Sequence, residues 1–313
     1  MDPTVEFMKA ARIHQYGDET VIRIKEIAQP SPAAGQVLIK VAATSFNPTE
    51  VALRAGVLRD LVPVDLPLTL GWDVAGTIVE LGEGVHTHAV GDQVIGWIDG
   101  AAADFAVADA ATMVTAPTTI PLADAAALPL AGLTAWQAIE RSGLAAGERV
   151  LINGAGGGIG GFAVQLAKHA AAQVIATASP RSEHAVRRHG ADRIIDYTAT
   201  SLGDALDDQV DVLLNLVGLD QRQAAALVPL VRPGGRLVSV TNEIEAPPAG
   251  GVTTARVVVR NDPAQLAGLV ALVDSGAMSV EVTESHSLHD LASLHRRSET
   301  GDIRGKVIVV PSS

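Results

Sequence analysis

The rhythm of apolar and polar positions changes near residue 120. Before it, short apolar runs at 37–41, 74–79 and 93–96 are punctuated by Pro30-Ser31-Pro32, Gly82-Glu83-Gly84 and Gly91-Asp92, all turn-forming. Short strands with frequent glycines predict an irregular, barrel-like β domain over residues 1–120. From Pro121 the chain reads first as an alanine-rich helical segment, 122–142, interrupted by Pro129 and Gly132. Strand and helix then alternate: strands at 149–153, 173–178, 193–195, 212–217 and 236–240, with helices starting at Ile159 and running through Val186 and Leu230. That alternation predicts a parallel sheet with helices on both faces, an α/β domain over 121–276. Asp262-Pro263 offers an N-cap followed by proline at the first helical position. A helix near 288–298 and a strand at 306–310 make 277–313 a return to the first domain. No internal repeat or low-complexity linker interrupts this order.

Composition narrows the function classes. Four Phe, three Trp and two Tyr leave the core to Ala, Val, Leu and Ile, which suits buried parallel strands. A formal net charge of −12, with Arg187-Arg188 and Arg296-Arg297 as isolated basic pairs, argues against nucleic acid as a partner. The chain has no cysteine, so neither disulfides nor thiolate chemistry is available. Met1-Asp2-Pro3-Thr4 has no basic region leading into an apolar run, and the stretch 122–139 holds Asp124, Pro129 and Gly132. The reading is therefore a cytoplasmic protein with neither a signal peptide nor a membrane span.

The motif with chemical content is Val150-Leu151-Ile152-Asn153-Gly154-Ala155-Gly156-Gly157-Gly158-Ile159-Gly160-Gly161, a buried strand that turns through glycines into an amphipathic helix. Glycines alone serve close helix–strand packing equally well. The strand–turn–helix–strand context turns the reading towards a dinucleotide site, in which Gly156, Gly157, Gly158 and Ile159 approach the pyrophosphate. NAD-preferring sites place an acid at the end of the second strand. Here that strand ends Ala178-Ser179-Pro180-Arg181, and no carboxylate appears until Glu183. Ser179 and Arg181 suit a 2′-phosphate, hence NADPH. The other reading makes Ser179 a helix cap and leaves Arg181 solvated.

Gly71-Trp72-Asp73-Val74-Ala75-Gly76, Val90-Gly91-Asp92-Gln93-Val94, Leu128-Pro129-Leu130-Ala131-Gly132-Leu133-Thr134, the glycine turn, Gly190-Ala191-Asp192, Arg232-Pro233-Gly234-Gly235-Arg236 and Gly305-Lys306-Val307 follow one another in a characteristic order. Together they resemble the quinone oxidoreductases of the medium-chain dehydrogenase/reductase family, over roughly residues 9–310. The resemblance implies a GroES-like catalytic domain, a Rossmann cofactor domain, a cleft between them and a homodimer. It further implies that Asn47 lies near the nicotinamide and that Thr134 is on a cofactor-facing helix. Tyr197 would lie beside the adenosine phosphate, and Val217 and Gly218 on the nicotinamide side. Relatives often carry an Asp and an aromatic where Glu50 and Ala52 stand, which leaves proton delivery unassigned. Glu50 reads first as an exposed helix residue, with orienting Asn47 or relaying a proton as the alternatives, and Asn47 itself either as an anchor or as a turn residue before Pro48.

Zinc-dependent relatives use cysteines and a Gly-His-Glu where this chain has Gly71-Trp72-Asp73. His86-x-His88 is the one suggestive pair and lacks a third ligand nearby, while the remaining histidines, His14, His169, His184, His189, His286, His289 and His295, read as surface positions. The expectation is therefore no metal. Without a Lewis acid, a quinone or α,β-unsaturated carbonyl is the easier acceptor, because the incoming charge spreads over an enolate. Trp72, Trp97 and the loop at 57–64 read as lining for a small apolar quinone or enone, or else the tryptophans fill the core. The rival function is an NADPH-binding sensor or structural protein with little turnover. A third, the reductase domain of a larger synthase, is disfavoured by where the motifs begin and end, which reads as a free-standing enzyme.

Overall fold

In the computed structural model, residues 6–247 and 250–311 are described. The chain divides into two compact units: Met1–Leu130 with Asn261–Ser275 and Val280–Ser313, and Ala131–Arg260 with Gly276–Ser279. Beside the expected limits, 121–130 and 261–275 group with the first unit and 277–279 with the second.

The first unit begins with β1 (Phe7–Ile13), β2 (Arg23–Ala28) and β3 (Gln36–Ser45), then α1 (Thr49–Arg54), β4 (Leu68–Thr69), β5 (Asp73–Leu81), β6 (Gln93–Trp97), β7 (Phe105–Asp109), β8 (Val114–Thr115) and α2 (Leu122–Ala125). Helix α3 (Pro129–Ser142) carries the chain onward. Gly132 does not interrupt it, because Ala131, Leu133, Ala135 and Ala138 are buried. That burial outweighs the roughly 1 kcal/mol a helical glycine costs.

The second unit alternates β9 (Arg149–Asn153), α4 (Gly158–His169), β10 (Gln173–Ala178), α5 (Glu183–Arg188), β11 (Arg193–Asp196), α6 (Leu202–Ala205), β12 (Val210–Asn215), α7 (Gln221–Ala225), β13 (Val231–Ser239) and β14 (Thr253–Arg256). Its sheet has the order β11-β10-β9-β12-β13-β14, all parallel. The strand order reverses between β9 and β12, which is the doubly wound arrangement with its switch point there. Leu151, Ile175, Leu213 and Leu237 from four strands share one core. The apolar pattern did not reveal β14, an edge strand of sequence Thr-Thr-Ala-Arg.

The chain returns to the first unit with α8 (Pro263–Asp274), β15 (Val282–Ser287), α9 (Leu291–Glu299) and β16 (Lys306–Val310). As the sequence predicts, Asp262 caps α8, accepting from the amides of Ala264 and Gln265 with Pro263 in the first turn. Its far end is tied down where the amides of Thr118 and Thr119 donate to Asp274 at 2.8 and 3.1 Å. A seven-stranded sheet contains β15-β16-β3-β5-β6-β8, with β7 on β3, and a smaller one contains β2-β1-β4. Among the described residues, no helix is long and apolar enough to cross a membrane.

Candidate functional site

Two arrangements carry chemistry, one in each unit. In the second, β9 ends at the switch point and Gly154 takes φ of +96°, a left-handed conformation that favours glycine. The Gly154 amide donates to Thr177 Oγ1 at 2.8 Å. A Cβ on Gly154 would stand 2.7 Å from Val217 Cγ2, and one on Gly160 would drive into the backbone of Gly154 and Ala155. The turn is therefore closed on one side by the loop after β12 and on the other by its own chain. Helix α4 then starts at Gly158 with Gly157 as N-cap, which offers no capping side chain. Amides of the first turn have no intrahelical acceptor, and a glycine N-cap leaves them open to an outside anion. Gly157 is exposed and has no side chain in the way, so the cradle fits a dinucleotide pyrophosphate.

Ser179 follows β10 and is buried, while Arg181 is exposed two residues on. Ser182, not Ser179, is the N-cap of α5; the Ser179 carbonyl accepts from the amides of Ser182 and Glu183. Tyr197 follows β11 with an exposed ring. Ala178 and Asp196 are partners in register, so Ser179 and Tyr197 leave neighbouring strands side by side. Val217 and Gly218 are exposed beyond β12, where the Leu216 amide donates to the Asn153 carbonyl at 3.0 Å. Thr134 is buried on α3.

The first unit holds a buried polar cluster around Asn47. Its Nδ2 donates to Asp73 Oδ2 at 2.9 Å and to the Ser45 carbonyl at 3.2 Å, and its Oδ1 accepts from Lys306 Nζ at 3.0 Å. Lys306 also donates to Ser45 Oγ at 2.8 Å and lies 3.8 Å from Asp73. The Ser45 hydroxyl donates to Asp73, whose other oxygen takes the Leu130 amide at 2.8 Å. Glu50 accepts from the amides of Asn47 and Gly71 at 3.2 and 3.0 Å. Asn47 is thus far more than a turn residue. The exposed-helix reading of Glu50 is wrong, since the residue is 1% exposed. It sits on the face of α1 that also buries Leu53 and Arg54, three and four residues on. Burial, and then the Asp73 charge, push Glu50 up to about 8, against the donors that favour its charged form. Burial likewise lowers Lys306, while the charges of Asp73 and Glu50 oppose that shift.

Sequence reasoning missed Asp73 and Lys306 as members of this cluster. The available signal was a charged residue opening each of two apolar runs, 74–78 in β5 and 307–310 in β16, that are mostly buried. Trp72, next to Asp73 in sequence, and Trp97, the partner of Asp73 in register on β6, are half-buried, and the Trp97 carbonyl accepts from Asn261 Nδ2 at 2.8 Å. Val57 and Leu61 in the 57–64 loop are 73% and 76% exposed, so they cover no core. His295, expected at the surface, is fully buried against Phe46, because α9 turns Leu291, Leu294 and His295 inwards together.

Residues 33–118 match the model of the alcohol dehydrogenase GroES-like domain, and residues 189–309 that of the zinc-binding dehydrogenases. The 2-methylene-furan-3-one reductase of Solanum lycopersicum is 32% identical over 97% of this chain and 79% of its own. The chain belongs to the medium-chain dehydrogenase/reductase family, in its quinone oxidoreductase-like branch. It is also similar to the NADPH-dependent alkenal/one oxidoreductase of Arabidopsis thaliana, 31% identical over 97% of this chain and 80% of that protein. Among solved structures, the quinone oxidoreductase from Coxiella burnetii superposes with a TM-score of 0.90 at 29% identity, covering 97% of this chain and 99% of that one. The fold of this family member is accordingly a GroES-like domain with a Rossmann-type parallel sheet, as the sequence implied.

Zinc, which the description of the second model implies, does not fit the residues present. The chain has no cysteine to supply a thiolate, and Trp72, between Gly71 and Asp73, offers no metal donor. His86 is exposed, and His88 Nε2 is 3.0 Å from the Ala110 carbonyl. Among the described residues, no three His, Asp or Glu side chains converge as a tetrahedral site requires.

Proposed function

We propose that this family member is an NADPH-dependent oxidoreductase that delivers hydride to a quinone or α,β-unsaturated carbonyl without a metal. The observation that carries the reading is the glycine cradle at the switch point of the second unit, with the uncapped N-terminus of α4 facing it. Gly156, Gly157, Gly158 and Ile159 would hold the pyrophosphate by backbone amides. Ser179, Arg181 and Tyr197 would take the 2′-phosphate and adenosine end. Val217, Gly218 and Thr134 would flank the nicotinamide, which supplies the hydride when bound. The named activities of the tomato and Arabidopsis relatives, on a furanone and on alkenals and alkenones, point to the same acceptor class.

In the first unit, Asn47 is held on three sides by Asp73, Lys306 and the Ser45 carbonyl. We assign it the anchoring of substrate or nicotinamide, with a fixed orientation as the benefit of that network. Trp72 and Trp97 would contribute apolar lining for the acceptor. The missing zinc donors favour acceptors whose developing charge delocalises, since these need no Lewis acid.

The test is a titration of the purified protein with NADPH and with NADH, followed by nicotinamide fluorescence, and then addition of phenanthrenequinone. Preferential NADPH binding with rapid loss of the near-ultraviolet absorbance supports the reductase. Tight NADPH binding without oxidation across a panel of quinones and enones would leave the sensor or structural role instead.

A further inference from the structure

The carboxyl ends of four adjacent strands in the second unit carry a row of buried polar residues. Asn153 ends β9, Asn215 ends β12 and Ser239 ends β13, and the three are partners in register. Thr177 lies on β10 one step beyond the Ala176–Ile152 pair, which puts it level with Asn153. All four are buried, Asn215 completely. Residues paired across parallel strands project to the same face, so a continuous line of hydrogen bonds can form.

It does form. Thr177 Oγ1 accepts from the Gly154 amide at 2.8 Å and donates to Asn153 Oδ1 at 3.1 Å. Asn153 Nδ2 donates to Asn215 Oδ1 at 2.9 Å. The two hydrogens of Asn215 Nδ2 are shared among the Val217 carbonyl at 2.9 Å and the hydroxyls of Ser239 and Thr241, each at 3.3 Å. Thr241 Oγ1 is also 2.9 Å from the Val217 carbonyl. One end of the line therefore holds the first residue of the glycine turn, and the other holds the loop after β12. The side chains between them have little freedom to turn. Reversing the Asn215 amide would set its oxygen against the Val217 carbonyl and its NH₂ against the NH₂ of Asn153.

We propose that Asn215, with Thr241, is a positioning residue that fixes the Val217–Gly218 loop for the nicotinamide half of the cofactor, while Asn153 and Thr177 fix the turn for the pyrophosphate. The inference rests on the cofactor reading above and adds a division of labour to it. Removing Asn215 orphans Asn153 Nδ2 and leaves the Val217 carbonyl to Thr241 Oγ1 alone, but keeps the Thr177–Gly154 link standing. Removing Asn153 cuts the line next to the turn itself. Buried donors left without partners are expensive, so both losses should be visible in binding.

The experiment compares dissociation constants for NADPH and for 2′-phospho-ADP-ribose, which keeps the pyrophosphate and lacks the nicotinamide. Asn215→Leu is expected to weaken NADPH by at least about fivefold and to leave 2′-phospho-ADP-ribose within about twofold. Asn153→Leu is expected to weaken both. Thr241→Val, a milder change at a partly exposed residue, should reproduce the Asn215 pattern at smaller size and serves if Asn215→Leu fails to fold. The emission of bound nicotinamide should shift in the Asn215 and Thr241 variants. Equal weakening of both compounds by Thr241→Val and Asn215→Leu, or no weakening of either, would overturn the division of labour while wild-type binding kept the cofactor reading intact. Failure of the wild type to bind either compound would remove the cofactor reading and this inference with it.

Discussion

At the residue scale, Lys306 decides whether the Asn47 cluster is tolerable. The ammonium is 4% exposed and stands within 3.8 Å of Asp73, which is fully buried. Removing one partner of such a pair leaves the other charge without compensation, at about 3–5 kcal/mol. Lys306→Met should therefore lower the thermal midpoint sharply, whereas Lys306→Arg should recover part of the loss; calorimetry of the three proteins checks this. If Lys306→Met melts with the wild type, the pair is not what holds the cluster. Asn47→Ala reports on function rather than stability alone. With the anchoring role assigned above, turnover should drop, and unchanged kcat and KM would remove that role. In the second unit, Arg181→Ala should weaken NADPH more than NADH, read by fluorescence titration. An equal effect on both would detach Arg181 from the 2′-phosphate.

At the scale of elements, the legibility of the sequence followed the strength of its patterns. The strand 149–153, the glycine turn and α4 were readable because a buried apolar run, a break and an amphipathic helix follow one another with little noise. β16 was readable for its Val-Ile-Val-Val run, yet its first residue, Lys306, belongs to the site. A charged side chain opening a buried strand passes for a strand boundary unless its partners, some 260 positions earlier, are known. Glu50 was misread for the mirror reason: α1 is only six residues long, too short to show a periodicity that tells its buried face from its wet one. α9 is long enough, and Leu291, Leu294 and His295 do fall on one face. The error there was to let the polarity of histidine outrank its spacing. β14 offered no apolar alternation at all, since an edge strand needs less burial than a central one.

Helix α9 also makes a prediction of its own. Neither ring nitrogen of His295 has a hydrogen-bond partner among the described residues, and two nitrogens of the neighbouring Arg54 are in the same condition. Arg54 Nη2 is paired with Glu299 on α9 at 2.5 Å. Burying the imidazole without partners costs free energy that an apolar residue of similar size would not incur. His295→Leu should keep the fold and hold or raise the midpoint at neutral pH, even though the edge contact with Phe46 is lost. A drop of several degrees would mean that the aromatic contact outweighs the orphaned nitrogens.

At the scale of the whole molecule, two buried groups on opposite sides of neutrality shape how stability varies with pH. Burial, followed by the Arg54 charge, lowers His295 from its ordinary value of 6.5 to about 3. The unfolded chain therefore binds a proton there that the folded one refuses, and stability is lost as pH falls from 6.5 towards 3. Glu50 acts with the opposite sign, its value raised from 4.5 to about 8. The folded chain keeps a proton that the unfolded one has released, so stability is lost as pH rises from 4.5 towards 8. Between 4.5 and 6.5 the two slopes oppose each other, and the contribution of this pair is level. Glu284, held down to about 2 by Arg297 and His286, steepens the fall below 4.5. The expected curve for the first unit is a plateau near pH 5–6 with a falling limb on each side, followed by tryptophan fluorescence in a Trp136→Phe background, which leaves Trp72 and Trp97 as the reporters. Glu50→Gln removes the only one of these groups that acts on the alkaline side, so its curve should lose most of the decline between 6.5 and 8 while keeping the acid limb. His295→Leu should do the reverse: the plateau between 4.5 and 6.5 becomes a slope set by Glu50 alone, with stability rising as pH falls, and the acid limb below 4.5 is left to Glu284. A Glu50→Gln protein with an unchanged alkaline limb would show that the carboxyl is ionised in the folded state at neutral pH, held by its amide donors and by Lys306. The buried cluster would then carry a net negative charge, and Lys306 would be its one counterweight.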